Sequence, residues 1–129
     1  MFSHVMIGSN DMEKSKAFYD ATLAVLGYSE GMIDEKGRCF YLTQDGVLGI
    51  TKPINGESAS HGNGMTIGFK ASSPEQAKAW HEAGIANGGT PCEEPPGVRA
   101  NSRMSLYLAY LLDPSGNKIC AMYVMPAES

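Results

Sequence analysis

Apolar and polar positions follow one order twice along this chain. Residues 3–9 and 64–71 are short apolar runs that read as strands. Each leads into a segment of helical spacing, Glu13-Lys-Ser-Lys-Ala-Phe-Tyr in the first half and Glu75-Gln-Ala-Lys-Ala-Trp-His in the second. A shift of 62 positions superposes them, and Glu13/Glu75, Lys16/Lys78, Ala17/Ala79, Ala21/Ala83, Ala24/Ala86 and Gly27/Gly89 are then identical. Asn10 is placed to cap the first helix and Ser72 the second, each with a Glu three residues on. Pro74 fits the first turn of the second helix, where a missing N–H costs nothing. Each helix carries an alanine-rich face with one large aromatic, Phe18 or Trp80, so it can lie close to a sheet. Gly27 and Gly88-Gly89 suit left-handed C-terminal caps.

Strand-like runs follow each helix. In the first half they are Tyr28–Ile33, Arg38–Thr43 and Val47–Lys52, separated by the turns Asp34-Glu-Lys-Gly37 and Gln44-Asp-Gly46. In the second half they are Thr90–Glu93, Ser105–Leu112 and Lys118–Met125, the last two joined by Asp113-Pro-Ser-Gly-Asn117. The expected fold is therefore α+β, a single domain of two βαβββ modules forming a curved mixed sheet around a shared groove. Module one spans 1–53 and module two 64–126, with a Gly-, Ser- and Asn-rich linker at 54–63. A small sheet covered by one helix leaves its other face bare, and two such faces side by side make a concave binding site.

The bulk numbers narrow the partners. With 129 residues, 43% apolar and 19% charged, the chain has the composition of one folded domain rather than a disordered segment. Its net charge of −4 offers no basic face for phosphates, so neither nucleic acid nor an anionic membrane is expected as a partner. Cys39, Cys92 and Cys120 form no Cys-x-x-Cys pair and no disulfide framework, which suits a reducing, cytoplasmic setting. Met1-Phe2-Ser3-His4 does not read as the start of a signal peptide, and no apolar run approaches the ~20 residues of a membrane span. No Ser-His-Asp set, phosphate loop or Gly-x-Gly-x-x-Gly motif stands out, so hydrolase and nucleotide-binding readings lack support.

Four stretches together resemble a known family: His4-Val-Met-Ile-Gly8, Lys16-Ala-Phe-Tyr-Asp20, the helix end from Leu23 to Gly27, and Asp113-Pro-Ser-Gly-Asn-Lys118. They are similar to the vicinal oxygen chelate superfamily of glyoxalase, bleomycin-resistance and dioxygenase proteins, especially its short bacterial glyoxalase-like members. The resemblance runs nearly end to end. It implies a groove in which one divalent metal is held by His and Glu side chains from the first and last strands of each module. Carried over position by position, these sites read His4, an apolar residue near Leu48 or Gly49, Thr66 and Cys120. The carboxylate ligands are missing, which removes a hard-metal site. The expectation is a groove without a cofactor, the alternative being zinc or a similar divalent metal held through His4, with Cys120 as a second ligand. Taken by themselves, His4 reads as a hydrogen-bonded strand histidine and Cys120 as a small buried residue.

The substrate-binding candidates are His4, Thr66, Arg103, Tyr107 and Cys120, with His4 the candidate metal ligand and no catalytic residue assigned. In resembling proteins the polar stretch Glu93–Arg103 overhangs the groove, which implies Arg103 as a clamp for a carboxylate or phosphate, the alternative being an ordinary solvated arginine; Arg99 reads as solvated. Tyr107 and Tyr110 fall on opposite faces of a strand, and the resemblance puts Tyr107 nearer the groove. His81 reads as a surface residue, His61 as a solvated loop residue, and the eight methionines as core or groove lining. The functional expectation is a protein that binds a small organic molecule between its modules, acting as a homodimer with a degraded metal site. The alternative is a metal-dependent lyase or dioxygenase, with lactoylglutathione-lyase chemistry the least supported because no carboxylate stands at the expected positions.

Overall fold

Asp11 opens the first helix. Its backbone is extended and its carboxylate accepts the Lys14 N–H at 3.1 Å, so the cap lies one residue beyond Asn10. The second helix is shifted in the same way, with Ser73 accepting the Gln76 N–H at 3.0 Å in place of Ser72. Asn10 and Ser72 are engaged otherwise. The Asn10 side chain exchanges two hydrogen bonds with the backbone of Ala59, and the Ser72 hydroxyl donates to the Gln76 side chain. A polar residue beside a helix start is thus recruited to hold a neighbouring segment, and the next one caps. Left-handed glycines close both helices, Gly27 at φ 93° and Gly88 at φ 99°.

The structure is a computed structural model and describes residues 1–126. In chain order it contains β1 (His4–Gly8), α1 (Met12–Val25), β2 (Met32–Ile33), β3 (Cys39–Thr43), β4 (Gly46–Thr51), β5 (Ile67–Lys70), α2 (Pro74–Ala86), β6 (Thr90–Pro91), β7 (Gly97–Ala100), β8 (Ser105–Leu112) and β9 (Lys118–Val124). The first sheet has the order β1-β4-β3-β2, with β1 and β4 parallel and the rest antiparallel. The second has the order β5-β9-β8-β6, with β5 and β9 parallel and β7 also paired to β8.

β7 departs from the expected three strands per module. The stretch expected as a polar excursion forms a hairpin with β8, and β6 and β7 share one edge of that strand in tandem. Cys92 to Pro96 separate them, with Glu93 at φ 58° where the backbone turns out of the sheet. Two proline-flanked acidic residues hid a strand whose pairing depends on the length of β8.

Burial repeats with the sequence. The buried positions of α1 include Ser15, Phe18, Tyr19 and Thr22, and those of α2 are Ala77, Trp80, His81 and Gly84, each 62 residues after its counterpart. These stripes of i, i+3, i+4 and i+7 turn both helices toward a single core. The helices also pack on each other. Gly84 and Gly89 leave room for the Phe18 ring, since a Cβ on either would lie 3.2 or 2.7 Å from it. The core therefore mixes Phe18, Tyr19, Tyr41 and Ile50 of the first half with Trp80, Leu111 and Ile119 of the second.

The Asp113–Asn117 turn ties the halves together. The Asp113 carboxylate is buried and accepts the backbone N–H groups of Ser115 and Asn117, the Asn117 amide, and the Tyr19 hydroxyl at 2.6 Å. The Asn117 amide also donates to the Gly8 carbonyl at 2.9 Å. One turn between strands of the second sheet thus holds both α1 and β1.

Candidate functional site

Strand alternation splits the first sheet into two chemical surfaces. Ile7, Cys39, Tyr41, Leu48 and Ile50 face the helices and are buried. The opposite face carries His4 and Met6 of β1, Val47 and Gly49 of β4, Phe40 and Leu42 of β3, and Met32 of β2. Met6, Met32 and Leu42 are 37%, 60% and 62% exposed, so nothing among the described residues covers this apolar face. Gly49 makes its floor. A Cβ there would lie within 3 Å of the Met6 thioether and the Phe40 ring, both of which fold over the space.

A cavity of about 480 Å³ opens on this face, lined by residues that include His4, Met32, Phe40, Leu42 and Val47. At its rim Asp34 is paired with Arg38 at 2.6 Å, and the Arg38 guanidinium stands over the Phe40 ring at 5.2 Å. The His4 imidazole is positioned by the Ser3 hydroxyl, 2.7 Å from its Nδ1.

A second cavity, about 720 Å³, lies where β1 and the end of α1 meet β5 and the start of α2. His4 and Val47 line it as well, together with Tyr28, Asp45, Phe69 and Lys70. The Tyr28 hydroxyl donates to Asp45 at 2.7 Å, and the Gln76 amide donates to the Val25 carbonyl at 3.1 Å across the boundary between the halves.

The open face of the second sheet is more polar. Register places Tyr110 beside Cys120, and Lys118 beside Leu112 on the same face. The Lys118 ammonium pairs with Glu93 and stands 5.0 Å from the Tyr110 ring centre. Burial pushes the Cys120 thiol up to about 11, with the Lys118 charge acting in the opposite sense. It is therefore a thiol, not a thiolate, near neutral pH.

The structure redistributes several expected site residues. Tyr107 faces the core side, opposite Tyr123 and packed against the buried cluster, so Tyr110 takes the open-face position expected for Tyr107. The strand Ser105–Leu112 is apolar on both faces apart from its tyrosines, so alternation alone carried no register. Arg103 lies in the exposed β7–β8 turn, where its N–H is held by the Asn101 side chain. Arg99 is on β7, its guanidinium bound to the carbonyls of Glu94, Pro95 and Gly97. That makes Arg99 a brace of its own loop instead of a solvated side chain. Thr66 is exposed just before β5, and Gly68, two residues on, pairs with Cys120. Leu48 points into the core, leaving Val47 and Gly49 as the neighbours of His4 on β4.

His81 is 8% exposed, contrary to its expected surface position. Its place four residues after Ala77 and three before Gly84 was the signal: it falls within the buried stripe of α2.

His4 and Cys120 belong to different sheets. Among the described residues no group of three or more His, Cys, Asp or Glu side chains is arranged to hold a metal ion. The described residues do not fit the divalent metal that the fold implies, because a stable site needs several converging donors and no cluster of three forms around His4.

Two mixed sheets, a helix in each half and a paired set of bare sheet faces invite comparison with proteins of the same build. The crystal structure of a glyoxalase/bleomycin resistance protein from Albidiferax ferrireducens T118 is 61% identical, with a TM-score of 0.91 over 95% of this chain and 98% of that one. A glyoxalase/bleomycin resistance protein/dioxygenase family enzyme from Burkholderia phytofirmans PsJN is 21% identical, with a TM-score of 0.72 over 95% and 98% of the two chains. A glyoxalase-related enzyme from Fulvimarina pelagi is 18% identical, with a TM-score of 0.71 over 99% of each chain. The two more distant likenesses show the fold alone. None of the curated proteins matches the chain. The family model for the Glyoxalase/Bleomycin resistance protein/Dioxygenase superfamily matches residues 1–121, and with the β-α-β order found in both halves this chain belongs to that superfamily.

Proposed function

We propose that this protein binds a small organic molecule in the groove formed by the open faces of its sheets, and that it does so without a complete set of metal ligands. The observation that carries the reading is the uncovered apolar face of the first sheet, where His4 stands over a cavity of about 480 Å³. That volume falls within the ~300–1,000 Å³ typical of small-molecule pockets, which are mostly apolar with a few placed polar groups. The name of the 61% identical relative, a glyoxalase/bleomycin resistance protein, is consistent with either ligand binding or chemistry. A metal-dependent lyase or dioxygenase is the competing reading, and it needs donors beyond His4 and Cys120. Association into a homodimer is part of the proposal, since a second copy laid across this face would close the open side of the cavity that Met32 and Leu42 line and shield exposed Phe2 from water. Three free thiols suit a reducing, cytoplasmic setting.

Elemental analysis of protein purified without a metal-affinity tag, combined with thermal-shift titration against a panel of small organic molecules in chelator, tests the reading. Stabilisation by ligand in chelator, weakened by His4→Ala, is the expected result. A stoichiometric transition metal that is lost from His4→Ala would overturn it in favour of the metal-dependent reading.

A further inference from the structure

From the chemistry of the cavity on the first sheet we infer that its ligand is an uncharged molecule with a flat apolar ring system and a single hydrogen-bonding group. This rests on the binding function proposed above and names the ligand class for that site.

Three features select such a ligand. The first is that the cavity lining, among the described residues, holds no unpaired acidic, lysine or arginine side chain. Asp34, the carboxylate in the cavity lining, is neutralised by Arg38 at 2.6 Å, with a second contact from the Arg38 Nε at 2.8 Å. An ion entering an apolar cavity without a partner forfeits its hydration, a cost that a neutral ring avoids. The second is the shape and softness of the walls. The Phe40 ring and the Met32 thioether line the cavity with Leu42 and Val47 and supply polarizable contacts for an aromatic face, while Met6, folded over Gly49, lies beside the Phe40 ring on the same face. The third is the single directed polar group. Ser3 occupies the His4 Nδ1 at 2.7 Å and leaves the other ring nitrogen for one hydroxyl or carbonyl of the ligand.

The second sheet bears Lys118, Glu93 and Tyr110 on its open face, so a charged ligand would find its partners there. The two faces are therefore chemically distinct, and the first takes the apolar body.

Labelled methionine methyl groups report on the site directly, because Met6 and Met32 lie on this face, Met122 lies on the second sheet and Met12 packs against the core. Protein carrying ¹³C-methyl methionine, with resonances assigned through Met6→Leu and Met32→Leu, is titrated with 2-naphthol and with its carboxylate analogue 2-naphthoate at neutral pH. The expected result is movement of the Met6 and Met32 signals by naphthol, with at least tenfold weaker binding of naphthoate. Equal or tighter binding of naphthoate at the same two methyl groups overturns the ligand class and leaves groove binding standing. Movement confined to Met122 overturns the assignment of the apolar body to the first sheet. If neither compound moves any methyl group, this inference and the binding function beneath it both fall.

Discussion

Tyr19 and Asp113 lie 94 residues apart, and their 2.6 Å hydrogen bond joins the first helix to a turn of the second sheet. Burial, then the nearby Asp113 carboxylate, raises the Tyr19 hydroxyl well above the ordinary phenol range, so it stays protonated and donates. Tyr19→Phe removes a donor to a buried carboxylate and should cost about 1.5–3 kcal/mol, readable as a lowered urea midpoint with an unchanged m-value. A variant as stable as the parent would show that the remaining donors to Asp113 suffice. His81 gives a second residue-scale expectation. Burial lowers its pKa below the ordinary imidazole value, partly offset by a hydrogen bond to the Tyr110 backbone and by the charge of Glu82. The folded protein therefore holds His81 neutral where the unfolded chain takes up a proton, from about pH 6.5 downward. Its contribution to stability is complete above that pH and is lost as pH falls toward the folded value. Denaturation midpoints at pH 7.5 and 5.5 should fall less in His81→Phe than in the parent.

The helix starts show how an element is assembled from competing uses of similar side chains. Asn10 and Asp11 are adjacent capping residues, yet only Asp11 reaches the Lys14 N–H, while Asn10 binds Ala59 in both directions. Asp11→Ala should therefore cost about 1 kcal/mol and speed hydrogen exchange at the Lys14 amide. Asn10→Ala should instead speed exchange at the Ala59 amide and spare Lys14. The reverse pattern would mean that the caps are wrongly placed. The one-residue shift is the same in both helices, so the repeat was legible in sequence before the caps were. Competition between neighbouring polar residues is settled by what each can reach across the fold, and spacing along the chain does not encode that.

On the scale of the whole molecule the halves are not independent. Each sheet is small, and α1 covers the first while its Phe18 ring is also packed against Gly84 and Gly89 of the second half. Residues 1–63 expressed alone should lack a cooperative thermal transition, because the shared core of Phe18, Tyr19, Trp80 and Leu111 is divided by the cut. A sharp transition in that fragment would show that the first half holds a sufficient core by itself.

Local and periodic features were enough to establish the repeat, both helices with their aromatic faces and glycine ends, most of the strands, and the Asp113–Asn117 turn. All of these depend on neighbours within a few residues, or on a period that each half carries separately. Three other features were decided only by tertiary structure. β7 exists because β8 is long enough to pair with two strands in tandem. Tyr110 faces the open side because the partners of β9 set the register of a strand that is apolar on both faces. The bare face around His4, Met6, Met32 and Phe40 comes from four strands spread over the first half of the chain. Sequence could name His4 as a candidate, but its surroundings are apolar because long-range pairing brings those strands together, and linear spacing holds no record of that.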